Sequence, residues 1–137
     1  MNETRMADGN IGDKFLGGSR IITRTELDLF CTICGLRLDP FLIDDAAKNM
    51  GFKGSMVPGP FQFTLAFGLL GDLLKGLVHV GTEKLKVLSP VYLNEKIHVE
   101  TEILDKKESS GSGKRFLTWA WAIKKDDGGI SIQGVNT

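Results

Sequence analysis

The chain has 137 residues, 42% of them hydrophobic, which is enough for one buried core and too few for two. Lys plus Arg and Asp plus Glu number 17 each, and no basic stretch is interleaved with aromatics, so composition argues against a nucleic-acid partner. Residues 1–10, MNETRMADGN, lack the apolar run of a secretory leader; they are expected to form a flexible arm, with 11–137 as a single cytoplasmic domain.

The first predicted element is a strand over 19–24, SRIITR. A helix follows. Thr25 with Asp28 forms a start resembling a capping box, and Leu27, Phe30, Cys31 and Cys34 fall at i, i+3, i+4 and i+7 of one apolar face. Cys31 and Cys34 are the only cysteines and have the C-x-x-C spacing of a redox pair or half a metal site. A zinc site needs two further ligands, and a redox pair belongs at a helix N-terminus, so both cysteines are expected to be small buried apolar groups and no metal is expected.

The loop over 35–46, GLRLDPFLIDDA, gathers acids without a histidine. Asp44 and Asp45 open a short helix, IDDAAKNM, where acids serve as partners of the helix dipole. The segment 59–76, GPFQFTLAFGLLGDLLKG, is apolar on nearly all sides, the pattern of a buried helix, with Pro60 suited to its first turn and Gly76 to its stop. Gln62, Asp72 and Lys75 argue against a membrane span, which needs about 20 apolar residues.

The rest reads as strands over 82–88, 96–104, 114–125 and 130–135, with ESSGSGK and DDGG as turns. In the second of these, Ile97, Val99, Thr101 and Ile103 alternate with Lys96, His98, Glu100 and Glu102, so His98 points to solvent. In the third, Leu117, Trp119, Trp121 and Ile123 share one face and Phe116, Thr118, Ala120 and Ala122 the other. The small face is expected to admit the helix backbone, and the tryptophan face to take a partner subunit or another segment. The result is an α+β fold: one antiparallel sheet wrapped around one long buried helix, its free edge paired in a dimer.

Three blocks in order carry a family resemblance: IGDKF with ITRTELDLFCTICG, then DPFLIDDAAKNMGFKGSMVPGPF, then VLSPVYLNEKIHVETEIL. The chain resembles the MaoC-like (R)-specific enoyl-CoA hydratase and 3-hydroxyacyl dehydratase family, of the hotdog fold, from Ile11 to about Val135. The resemblance implies a coenzyme A thioester as substrate or ligand, no other cofactor, and lyase chemistry: a base, an acid, and a donor to the enolate-like oxygen.

In the family an aspartate stands three residues before the loop proline, an asparagine just before it and a histidine two after. Anchored on Pro40, those places hold Arg37, Asp39 and Leu42, so the Asp/His pair is missing. The family's backbone donor at the long-helix start falls on Gly59, with Val57 in the segment leading to it. The expected substrate-binding set is therefore Arg37, Leu42, Val57 and Gly59. The expected function is acyl-CoA or acyl-carrier thioester binding, or a non-catalytic subunit in a homodimer or heterodimer. The alternative is an active divergent hydratase or dehydratase with Asp39 as the catalytic base, kept ionised by Arg37. A hotdog thioesterase needs a carboxylate on the long helix near Gly59, and Asp72 is about three turns away.

Overall fold

The structure, a computed structural model, describes residues 5–137. In chain order it contains a 3₁₀ turn Met6–Asp8, strand β1 Lys14–Ile21, helices α1 Arg24–Cys34, α2 Asp39–Leu42, α3 Asp44–Asn49 and α4 Gly59–Leu70, and a 3₁₀ turn Gly71–Leu74. Strands β2 Thr82–Val87, β3 Lys96–Glu108, β4 Arg115–Lys125 and β5 Ile130–Asn136 follow. All pairings are antiparallel, in the order β1-β3-β4-β5-β2, so β1 and β2 are the edges of one five-stranded sheet.

β1 begins five residues earlier than expected because two glycines interrupt its alternation. The register shifts between Leu16 and Ser19, and a Cβ at Gly17 would lie 2.3 Å from Val99 Cγ1 and 2.9 Å from the Leu69 carbonyl. Glycine there lets the end of α4 rest directly on the strand. Thr23, not Thr25, caps α1: its side chain accepts from Glu26 N–H at 3.2 Å, and the Glu26 carboxylate accepts from Thr23 N–H at 3.4 Å. Thr25 already lies inside the first turn. The α1 face buries Leu27 and Cys31, but Cys34 is exposed, since the helix stops there at Gly35 in the left-handed region.

The long helix is shorter than its apolar run. Gly71, at φ 50°, ends α4, and the chain goes on as the tighter 3₁₀ turn instead of a single helix over 59–76. α4 buries Phe61, Gln62, Leu65, Ala66 and Leu70 against the sheet and leaves Pro60, Thr64 and Gly68 exposed as a strip at i, i+4 and i+8. Burial of each large side chain contributes about 2 kcal/mol.

The helix lies on the tryptophan face of β4, the reverse of the expectation. Phe63 meets Trp121 with ring centroids 5.6 Å apart, and Phe67 meets Trp119 edge-on at 6.3 Å. Interlocking aromatics bury far more apolar area than a backbone laid on Ala120 and Ala122, which therefore form the outer face. The alternation over 97–103 is as read: Ile97, Val99, Thr101 and Ile103 are all buried.

Residues 5–10 do not form a loose arm. Met6 is fully buried, with Thr101 Oγ1 3.8 Å from its sulfur, Lys106 Nζ donates to the Gly9 carbonyl at 2.7 Å, and Gly12 N–H to Ile103 O at 2.8 Å. One apolar side chain in a polar decapeptide closes the sheet's end. The remainder of the expected arm, residues 1–4, lies outside the described residues. Among those described, no helix is long and apolar enough to cross a membrane.

Candidate functional site at the start of the long helix

The segment between α1 and α4 is short helices and loop, and one side chain organises it. Arg24, at the start of α1, directs Nη1 to the carbonyls of Phe41 at 3.5 Å and Leu42 at 3.4 Å, and Nη2 to Asp44 Oδ1 at 3.1 Å and Ser55 Oγ at 3.0 Å. Asp44 Oδ1 also accepts from Ser55 N–H at 2.9 Å. The Ser55 backbone N–H, then its side chain, and then Arg24 hold the Asp44 carboxyl below the ordinary aspartate value. Asp44 thus closes the loop 44–55 as a structural acid. At the far end Val57 N–H donates to Val91 O at 2.8 Å, and Met56 bridges to Tyr92.

α4 then begins at Gly59, with Pro58 as its N-cap and no side chain closing the helix end. Gly59 is partly buried, and its N–H makes no turn, loop or cap hydrogen bond to another backbone group. A Cβ at Gly59 would sit 3.0 Å from Val87 Cγ2, so glycine permits the close approach of edge strand β2. The free N–H groups and the helix dipole make this end receptive to negative charge. Gln62, one turn on and buried, fixes it: Nε2 donates to Val57 O at 3.1 Å, and Oε1 accepts from Ser131 Oγ at 2.8 Å. No periodicity argument singles out Gln62, although a polar residue in an apolar helix is a visible mark.

The expected site residues divide into two groups. Val57 and Phe61 belong to the buried core, Leu42 and Phe30 pack against that core, and the rings of Phe30 and Phe61 stack 4.2 Å apart at 3°. Arg37 and Asp39 are exposed on the loop and the first turn of α2. No ion pair joins them among the described residues, so the expected pairing is absent there. Asp72 lies in the 3₁₀ turn after α4, 3.5 Å from Lys75 Nζ.

Cys31 is a free thiol whose protonation burial pushes up, with Asp28 adding to the effect and Arg37 opposing it, the environment of a packed thiol and not of a nucleophile. No group of three or more His, Cys, Asp or Glu suited to a metal ion occurs among the described residues. Neither of two sizeable cavities includes Arg37, Asp39, Leu42, Val57 or Gly59: one lies over the outer sheet face and the other at the far end of α4.

No family model and no curated protein sequence matches the chain. Solved structures do. A MaoC-like dehydratase from Rhodospirillum rubrum superposes with a TM-score of 0.85 at 21% identity, over 98% of this chain and 94% of that one. The (R)-hydratase from A. caviae involved in PHA biosynthesis gives 0.81 at 22%, over 94% and 95%. The HadBC (3R-hydroxyacyl-ACP dehydratase) complex from Mycobacterium tuberculosis gives 0.78 at 19%, over 92% and 93%. The chain has the hotdog fold, the architecture of the MaoC-like dehydratases and (R)-hydratases.

Proposed function

We propose that this hotdog protomer binds an acyl thioester of coenzyme A or a carrier protein at the N-terminus of α4, without the acid and base pair of a hydratase. The observation that carries the reading is the uncapped helix start at Gly59, with buried Val57 and Phe61 two residues to either side and Leu42 packed on the same core as the proposed apolar wall. A thioester carbonyl presented to Gly59 N–H gains a hydrogen bond that strengthens as negative charge develops on oxygen, while the wall suits the acyl carbons. Leu42, at the place of the family histidine, transfers no proton. Asp44 is committed to Ser55 and Arg24.

The site is completed in a homodimer or heterodimer. Leu85 and Val87 of β2 and Leu88 just after it are 49%, 59% and 53% exposed among Glu83, Lys84 and Lys86, and Val87 reaches Gly59, so apolar side chains lie on an edge strand with one side unpaired. The exposed strip of Pro60, Thr64 and Gly68 on α4 offers a second copy a close helix contact. A second copy or another hotdog subunit paired through β2 would roof the helix start.

One observation favours the second reading, a divergent hydratase or dehydratase: the Asp39 carboxylate is exposed and forms no ion pair among the described residues, leaving it available as a lone base. The test is calorimetric titration with a saturated acyl-CoA, run beside hydration of a short trans-enoyl-CoA followed by loss of conjugated thioester absorbance. Saturable binding without turnover, weakened by Val87→Lys together with dimerisation, is the expected result. Turnover that disappears in Asp39→Asn establishes the second reading instead, and neither binding nor turnover in a folded dimer refutes both.

A further inference from the structure

Near the C-terminal end of α4, where Phe67 lies eight residues and roughly 12 Å beyond Gly59 at 1.5 Å per residue, the structure holds a cavity of about 460 Å³. Its floor is Phe67, Leu74, Leu77 and Trp119, and Lys114 and Arg115 of the β3–β4 hairpin line it as well. No Asp or Glu side chain lines it, and neither Lys114 nor Arg115 makes an ion pair among the described residues. The volume falls in the range of small-molecule pockets.

His79 and Thr137 are the other polar residues of the lining, and a hydrogen-bonded chain fixes the histidine ring. Trp121 Nε1 donates to Asn136 Oδ1 at 3.0 Å, and because an indole nitrogen only donates, that Asn136 atom is the acceptor oxygen. Thr82 Oγ1, 2.7 Å from the same oxygen, therefore donates to it and spends its one hydrogen. His79 Nε2, 2.8 Å from Thr82 Oγ1, must donate in turn. The ring donates through Nε2 and is packed edge-on against Phe67 at 5.1 Å, so it is a fixed wall of the cavity and not a donor to an anion. Such a relay, rooted in a buried tryptophan, holds an otherwise exposed histidine in one orientation beside an apolar floor.

We infer that this cavity is a second ligand site, which takes a small apolar carboxylate with its hydrocarbon on Phe67, Leu74, Leu77 and Trp119 and its charge toward Lys114 and Arg115. An apolar floor beneath two cationic side chains, with no Asp or Glu side chain in the lining, matches an amphiphile of one negative charge. The site is separate from the thioester reading and stands or falls without it.

The experiment titrates the full chain with octanoate and, in parallel, with octanamide, which has the same tail and no charge, reading tryptophan fluorescence and heat. Octanoate is expected to bind saturably and at least roughly ten-fold tighter than octanamide, the effect of a charge-assisted contact. Lys114→Gln/Arg115→Gln, two exposed positions that leave the core untouched, should abolish that preference, and Leu77→Trp should weaken both ligands by filling the floor. Saturating acyl-CoA should not displace octanoate. Equal affinity for the two ligands, an unchanged preference in the double variant, displacement by acyl-CoA, or no saturation at millimolar octanoate would each overturn the assignment.

Discussion

Gln62 is 1% exposed, and its two hydrogen bonds tie the first turn of α4 to the Val57 carbonyl and to Ser131 on β5. Replacing it with leucine keeps the volume and removes both bonds. Ser131 retains the Ile123 carbonyl at 3.3 Å, but Val57 O loses the donor it has among these side chains. Two bonds at about 1 kcal/mol each, plus an orphaned carbonyl at about 1 to 2, offset by the added apolar burial of leucine, give a loss of about 2 kcal/mol. Ser131→Ala alone orphans Gln62 Oε1 for about 1 to 2 kcal/mol, whereas in the double variant that oxygen no longer exists. The double variant should therefore lose at least about 1 kcal/mol less than the sum of the single losses. Urea unfolding followed by tryptophan fluorescence measures all four species. Additive losses, or Gln62→Leu within about 0.5 kcal/mol of the parent, would show that the polar link is not what holds the helix start.

A carboxyl held below its ordinary value contributes stability above that value and loses it as pH falls through the folded one. Asp44→Asn should thus destabilise the chain at neutral pH, and the gap from the parent should close as pH drops below 3.8; a gap independent of pH, read from denaturant midpoints, would contradict the proposed Ser55 and Arg24 pairing. Phe30 and Phe61 stack between α1 and α4, so a double-alanine cycle should return a coupling of about 0.5 to 1.5 kcal/mol, and a coupling near zero would remove the stack as the link between the two helices.

Much of the fold was legible because burial here follows period. The strands over 96–125 alternate cleanly, and an apolar run with Pro60 near its start identifies the central helix. What escaped were features set by contact between distant residues. The glycines of β1 disguise a strand whose need for glycine comes from Val99 and Leu69, and Met6 is buried against Thr101 of β3, 95 positions away, not by its polar neighbours. The placement of α4 on the tryptophan face was equally a matter of fit: alternation separates the two faces of β4 but does not say which one a helix covers.

The site was less legible than the fold for a chemical reason. A helix start that donates through its backbone leaves only a glycine in the sequence, so Gly59 can be located by spacing while its uncapped N–H is visible only in the structure. Acids mislead in the opposite direction. Asp39 and Asp44 look alike in DPFLIDD, yet one is exposed without an ion pair and the other is tied by Ser55 and Arg24, so only one is free to meet a substrate. That difference arises from residues 11 and 20 positions from Asp44, beyond any local pattern. The same logic explains why Arg37 is a poor guide: two positions from Asp39 in sequence, it makes no pair with it, because the turn into α2 carries both side chains into solvent, where pairing two exposed charges gains little. If Asp39 is the base of the proposed second reading, Arg37 does not supply its electrostatics, so a proposed partner across β2 would have to, and Val87→Lys should then lose dimerisation and turnover together.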